Sequence, residues 1–480
     1  MKICIGYPPL KSKKGIPLLS QNRQFQWFKS PTYIYPVIPA SAATLLQSQG
    51  HQVIWLDGIA ENWTYDQWFD RLKTEQPDLL FMETKTPVIK QHWQIIKRLK
   101  RKDPTLPIVL AGDHVTALPA ETKKNCPVDY IISGGHYDLS LLSIVTKGQT
   151  KQGYEPSDIS RFVTLNSIPI IDRQLTKWQL YAYKNGNFKA TPGAYTMAGR
   201  DCWWRQNGGC TFCAWTVLYP KFIVRTPKSL LDEIGQLIDL GVKEVFDDTG
   251  TFMVGDWLTK FCQGMIKRGF HKKITFGCNM RFGVLKKADY QLMAKANFRF
   301  LLFGLESANQ TTLDRLNKGI KINQVEPELK IIKACLAGRR ASGGQLEPHV
   351  TCMVGYPWES LADAQKTVNF TKNLFKQGLI SSLQATIIIP YPGTKLFAQA
   401  KKNHWLKTLD WNKYDMSQPI LKSPVSDKKL MALTRNLYLS CLTPQFILKK
   451  LFSVRSLTDI KFLIRSAQKF IGQLLDFSLL

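Results

Sequence analysis

The chain is short of acid: 36 Asp and Glu stand against 65 Lys and Arg, a formal net charge of +29 over 480 residues. It also lacks any uninterrupted apolar stretch near the ~18 residues of a membrane-spanning helix. The opening MKICIGYPPLKSKKG has too short an apolar part, wrongly flanked, for a secretory signal. Cysteine is sparse, ten residues in all, too few for a disulfide scaffold at this length. No G-x-G-x-x-G follows the first strand-like segment, which argues against a dinucleotide ligand. What is present is an ordinary globular content of 44% hydrophobic residues, which excludes a disordered or collagen-like chain. At roughly 150 residues per domain the length suggests about three domains. A cytoplasmic protein is the expectation.

The basic surplus suits phosphate, an anionic membrane surface or an anionic cofactor. It is spread along the chain, and the run KRLKRK at Lys97–Lys102 ends a helical pattern, where cations complement the helix dipole. With no groove-reading motif, no specific nucleic-acid partner is expected.

Residues 1–145 alternate short apolar runs with helical patterns: KICIGY, HQVIWLDG, PDLLFMET, PIVLAGDH and VDYIISGG. That alternation predicts a doubly wound parallel sheet, with its ligand outside the carboxyl ends of the strands. Residues 146–190 read as a connector. From 191 to 410 a second series follows, with strands GAYTMAG, KEVFDD, ITFGCN, FRFLLFG, PHVTCMVG and LQATIIIP. Six βα repeats fit a partial (βα)6-type TIM barrel with its site at the strand carboxyl ends. Residues 411–480 read as a helical carboxyl-terminal region. The fold class is therefore α/β.

Seven cysteines are scattered singly, as small buried hydrophobes usually are. Three cluster in GRDCWWRQNGGCTFCAW, as Cys202, Cys210 and Cys213, just after the first expected barrel strand. Three thiolates cannot complete a tetrahedral structural zinc site without a fourth ligand; neither His136 nor His271 stands at finger spacing. Three thiolates on a [4Fe–4S] cluster would leave one iron open to a substrate.

At this point the sequence resembles the radical SAM superfamily. Its usual C-x3-C-x2-C is represented by Cys210 and Cys213, with the aromatic Phe212 before the last cysteine. Cys202 departs from the pattern, lying four residues early, where Gln206 stands instead; a longer loop with Gly208 and Gly209 can fold it back. Further segments follow in the family's order. FDDTGTF brings Asp248 and Thr249 to the methionyl end of S-adenosylmethionine (SAM). Arg281 follows GCNM and resembles a SAM carboxylate clamp. FGLES brings Glu306 and Ser307, MVGYPWES brings Gly355 at a turn with Glu359 starting the next helix, and IPYPGTKL closes the sixth repeat. The resemblance implies a SAM site made of Phe212, Asp248, Thr249, Arg281, Glu306, Ser307 and Gly355, beside a cluster on Cys202, Cys210 and Cys213. It assigns no catalytic residue.

The first domain resembles that of the cobalamin-dependent, B12-binding radical SAM proteins, and VLAGDHVTALPAE looks like a stretch of that family. The resemblance implies cobalamin near Tyr7, Pro8, Glu83, Thr84, Gly112, Asp113, His114, Gly134 and Gly135, the glycines letting backbone approach the ligand. No D-x-H-x-x-G occurs, so His114 is read as a wall or structural residue, not a cobalt ligand. A scaffold without corrinoid is the alternative for this domain. Only Cys4 and Cys126 precede the main cluster, which argues against a tRNA methylthiotransferase. The tail, Asn436–Ser456, resembles the subgroup of the anaerobic magnesium-protoporphyrin cyclase.

The family implies reductive cleavage of SAM to a 5′-deoxyadenosyl radical and methylation of an unactivated carbon in a small molecule or peptide. The reductant would be a flavodoxin or ferredoxin. A cyclase or oxidase without methyl transfer is the first alternative, and a basic iron–sulfur or zinc protein binding nucleic acid the second. The basic carboxyl-terminal helices add an expected peripheral contact with a membrane, with a lid or packing helix as the other reading.

Overall fold

The computed structural model describes residues 1–17, 25–29, 32–147, 164–185, 187–335, 346–441 and 457–476, together with 19, 448, 452 and 454. The first five strands are β1 (Lys2–Tyr7), β2 (Gln52–Asp57), β3 (Leu79–Thr84), β4 (Ile108–Gly112) and β5 (Tyr130–Ile132). They form one parallel sheet in the order β2-β1-β3-β4-β5. All six residues of β3 and all five of β4 are buried, because helices cover both faces of such a sheet. The order reverses between β1 and β3, which opens a crevice at their carboxyl ends. The helix Tyr65–Glu75 starts on a capping box between Thr64 and Gln67. The next one, Ile89–Lys102, carries Lys100, Arg101 and Lys102 in its last turn, against the negative end of its dipole.

The second sheet has six parallel strands: β6 (Gly193–Thr196), β7 (Glu244–Asp247), β8 (Thr275–Met280), β9 (Phe298–Glu306), β10 (Glu347–Val354) and β11 (Ser382–Ile387). Each pairs with the next in sequence, leaving β6 and β11 as the two edges. This is a partial barrel. Its floor is pinned by buried Arg299, whose Nε donates to Glu244 Oε1 at 2.8 Å and whose Nη1 donates to Glu347 Oε2 at 2.5 Å. One guanidinium thereby fixes the amino ends of β7, β9 and β10.

Two contacts seat the sheet domain on the barrel. Buried Arg200 pairs with buried Asp138, which also accepts from Ser41 Oγ at 2.8 Å. Gly135 meets Tyr219, as described below. Among the described residues the carboxyl-terminal region is helical at Asp427–Cys441 and Leu457–Asp476. Before that, 411–426 holds a short 3-10 turn at Trp411–Lys413 and an antiparallel bridge from Leu421 to Leu406; Pro419 and Pro424 deny this stretch the amide donors a helix needs. It returns instead to the first domain, where Lys90 Nζ lies 2.7 Å from Asp410 and Lys14 Nζ 2.5 Å from Asp415. Residues 442–447 and most of 449–456 in the tail segment lie outside the described residues. Among the described residues, no helix is long and apolar enough to cross a membrane.

Candidate functional site

The long cysteine spacing is taken up locally. Cys202 precedes a 3-10 turn over Trp203–Asn207, and Gly208 and Gly209 then adopt φ of 85° and 68°, a region open to glycine at no steric cost. The loop thus doubles back. Arg205 closes it: Nε donates to Asp201 Oδ2 at 2.6 Å and Nη2 to Trp215 O at 3.0 Å. The turn that ends the short helix Gln310–Arg315 braces it from outside, with Asn317 Nδ2 donating to Asn207 O at 2.6 Å and Gly209 O at 2.8 Å, and Thr211 N to Leu316 O at 3.0 Å. Cys202 Sγ contacts Thr251 Oγ1 at 3.1 Å. Burial pushes the Cys210 thiol pKa up, while Lys318 and Arg281 pull it down and the neighbouring Cys202 and Glu306 add to the rise. Cys213 N donates to Cys210 O at 3.3 Å. Among the described residues, no three or more His, Cys, Asp or Glu side chains could hold a single metal ion.

The other candidate residues sit at the carboxyl ends of successive barrel strands. Asp248 follows β7 and accepts from Asn279 Nδ2 at 3.1 Å. The Thr249 hydroxyl accepts from Gly199 N at 2.8 Å, so it fastens the end of β6. Arg281 follows β8. It is 3% exposed, its guanidinium stacks 3.8 Å over the Trp204 ring, and its Nε and Nη2 have no hydrogen-bond partner. Burial lowers its pKa, against the raising effect of the Cys210 and Cys202 sulfurs.

Glu306 ends β9 at φ 68°, beside a register shift against β10. A non-glycine residue in that region is strained, and such strain collects at functional sites. Its Oε1 accepts from Lys318 Nζ at 2.7 Å. Ser307 turns away: its hydroxyl donates to Glu359 Oε1 at 2.9 Å and accepts from Asn309 N at 3.1 Å. Gly355 follows β10 at φ 94°. The following helix is started by Ser360, in a capping box with Asp363, and not by Glu359, whose carboxylate is held inward by Ser307 and Asn309. Phe212 packs near Leu396 and Tyr356, with Lys318 Nζ 5.9 Å from its ring centroid. Lys318, Trp204 and Thr251 thus join the candidate site, although none of them was singled out from the sequence.

In the first domain the polar candidates form a buried floor under the crevice. Tyr7 OH donates to Glu83 Oε2 at 2.8 Å. Burial pushes the Glu83 carboxyl up to about 7, with Lys85 and the Tyr7 bond opposing the rise. Lys85 Nζ lies 3.9 Å from Asp113, both buried. Thr84 Oγ1 meets His92 Nδ1 at 3.0 Å. Pro8 leads out of β1 toward a cleft of about 800 Å³ that starts at Pro9 and Pro87 and is lined by Lys11, Lys14, Lys90 and Lys413. None of the three cysteines lines it.

Two glycines differ from the expectation that they admit a ligand. A Cβ on Gly112, at φ 139°, would lie 2.0 Å from Thr84 O. One on Gly135 would lie 2.4 Å from Tyr219 Cζ. Both make room for protein: the first for a neighbouring strand, the second for the barrel's own tyrosine. Gly134, at φ 91°, donates its N–H to Thr116 Oγ1 at 3.0 Å. His114 is fully buried between Trp93 and Trp411, and its Nε2 faces Glu121 Oε2 at 3.2 Å. That is a structural setting.

Comparison with known proteins places these two halves. Residues 200–371 match the Radical SAM superfamily, and residues 29–137 match the B12 binding domain. The chain carries a B12-binding domain followed by a radical SAM domain. It is 24% identical over 436 residues to an uncharacterized methyltransferase of Pyrococcus horikoshii, covering 87% of this chain and 90% of that one. It is 23% identical over 417 residues to the anaerobic magnesium-protoporphyrin IX monomethyl ester cyclase of Rubrivivax gelatinosus, covering 82% and 71%. Its fold is shared with the radical SAM methyltransferase TsrM of Kitasatospora setae, solved with cobalamin and a [4Fe–4S] cluster, at TM-score 0.67 and 12% identity over 92% of this chain and 89% of that one.

The cofactors of such a radical SAM enzyme are a [4Fe–4S] cluster, SAM and cobalamin, and the residues present fit them. Three thiols share one clamped loop. Beside them, a buried guanidinium keeps two donors unpaired, as an incoming carboxylate or anionic cluster requires. In the B12-binding domain, the buried Thr86 hydroxyl just past β3 has no partner, and the crevice lies at the switch point where ligands of this fold bind.

Proposed function

We propose that this radical SAM enzyme methylates an unactivated carbon of a small molecule or peptide. When bound, the cluster and SAM supply a radical that removes hydrogen, and the corrinoid supplies the methyl group. The chain's residues bind, orient and exclude water. Cys202, Cys210 and Cys213 hold the cluster, with Lys318 and Arg281 favouring the ionised form of Cys210. The Arg281 Nε and Nη2 take the SAM carboxylate, and Asp248 and Glu306, at the ends of β7 and β9, address the ammonium and ribose. Tyr7, Glu83, Thr84, Lys85 and Asp113 form the polar floor facing the corrinoid. A flavodoxin or ferredoxin supplies the electron.

The observation that carries this reading is the clamped loop set against the unpaired Arg281 donors. The likeness to the uncharacterized methyltransferase favours methyl transfer, and the likeness to the cyclase keeps ring closure or oxidation as the second reading. The test is anaerobic cluster reconstitution followed by SAM and dithionite, measuring 5′-deoxyadenosine. Release that disappears in Cys202→Ala and Cys213→Ala supports the site. Corrinoid that co-purifies with the wild type supports the methyl donor. Deoxyadenosine that persists in either variant, or a chain that takes up no cluster, overturns the assignment.

A further inference from the structure

The last described helix, Leu457–Asp476, shows two distinct faces between 457 and 465. One is latched to the barrel. Arg465 Nη2 donates to Phe188 O at 3.3 Å and Lys189 O at 3.1 Å, Nη1 reaches Tyr183 O at 3.4 Å, and Lys189 Nζ pairs with Asp459 at 2.9 Å. The other face is bare. Leu457 is 76% exposed, Ile460 42% and Ile464 54%; at spacings of three and four residues they form one stripe. Exposed Lys461 lies on the same side, and upstream Phe452 and Leu448 are 83% and 52% exposed.

Among the described residues ten large apolar side chains are exposed, and six of them fall between 439 and 464. Single exposed apolar residues are ordinary, whereas a concentration of them marks an interaction surface. Next to the latch, Tyr183 is 51% exposed and followed by exposed Lys184, the amphipathic pairing found at membrane–water boundaries.

We propose that the outer face of this helix docks on an anionic lipid surface. The charge decides the occupant. Residues 442–480 carry six Lys and Arg against two Asp and Glu, within a chain of net charge +29. Two such surfaces repel each other, which opposes a second copy, while anionic headgroups attract them. An apolar stripe with interleaved cations is the pattern of a helix lying in a lipid interface. The latch residues 183–189 lead into β6 at its amino end, so this helix is anchored beside the amino end of that strand. This proposal stands independently of the reaction catalysed.

The test is flotation of the full-length protein with vesicles of phosphatidylcholine alone and of phosphatidylcholine mixed equally with phosphatidylglycerol. Binding to the mixed vesicles only, falling as salt rises, is the expected result. Ile460→Ser with Ile464→Ser lowers the partition coefficient roughly tenfold or more, from the apolar area each side chain loses. Lys461→Glu also lowers it. Both variants keep the wild-type circular dichroism and thermal midpoint, since the altered side chains face solvent. Absence of binding overturns the proposal, as does equal, salt-independent binding to both vesicles. A dimer in sedimentation velocity that the serine variant dissolves would assign the face to a second copy instead.

Discussion

Replacing Arg281 by methionine separates binding from packing at the site. The guanidinium is nearly inaccessible, stacked on Trp204, with Nε and Nη2 unpaired. A buried donor without an acceptor costs about 1–3 kcal/mol. The stacking returns up to about 2 kcal/mol for a desolvated cation over tryptophan. Methionine keeps the apolar length and a sulfur–ring contact of about 0.3–1.5 kcal/mol, and it removes the unpaired donors. These terms nearly cancel, so cofactor-free Arg281→Met should unfold in urea within about 1 kcal/mol of the wild type.

The reconstituted protein should behave differently. Hydrogen bonds to a charged partner are worth about 1.5–3 kcal/mol, so SAM should bind roughly ten- to a hundredfold more weakly at equal iron content. Arg281→Lys should fall between, because an ammonium keeps the charge but not the planar fork. A variant that loses more than about 2 kcal/mol of cofactor-free stability, with SAM affinity unchanged, would make Arg281 a structural cation and refute the clamp.

Glu83→Gln should change the pH dependence of the first domain. Burial raises the Glu83 carboxyl from 4.5 to about 7 in the folded state, so the folded protein holds the proton more tightly than the unfolded chain. That favours folding at low pH and is lost as pH rises between those values. The glutamine variant should therefore gain roughly 2–3 kcal/mol on the wild type between about pH 4 and about pH 8; parallel urea midpoints for the two proteins across that range would refute it. Gly135→Ala places a methyl group 2.4 Å from Tyr219 Cζ. Overpacking of this kind costs about 1–3 kcal/mol, and Tyr219→Leu in the same chain should recover part of it. An unchanged thermal midpoint for Gly135→Ala would show that the ring yields freely.

Much of the architecture was legible because it rests on period and punctuation. All eleven strands of the two main sheets, three to nine residues long, fall on the segments singled out from the sequence, most bounded by glycine, proline or a charged turn. Residues at the carboxyl ends of barrel strands were legible for the same reason, since a strand's end fixes where its next residue stands. What escaped notice depends on contacts between distant segments. Nothing in NKGI announces that Lys318 will reach Glu306, or that Trp204 will lie beneath Arg281. The stretch 410–426 shows the same limit: its prolines exclude a helix, but its attachment to Lys14 and Lys90 exists only in three dimensions.

Glycine shows why a correct motif can carry a wrong reason. Gly112 and Gly135 were expected to yield space to a ligand, and each position does demand glycine. The demand comes from Thr84 in one case and Tyr219 in the other. A missing Cβ is a statement about the nearest neighbour, and sequence does not name that neighbour. The cysteine loop presents the converse case. Cys202 stands eight residues before Cys210, outside the usual spacing, yet the 3-10 turn, two left-handed glycines and the Arg205 clamp return it to its partner's electrostatic reach. Spacing rules describe the shortest loop that closes a ligand set. A longer loop serves equally once local hydrogen bonds remove its freedom, so the Arg205 clamp has to be judged together with the thiols it holds in place.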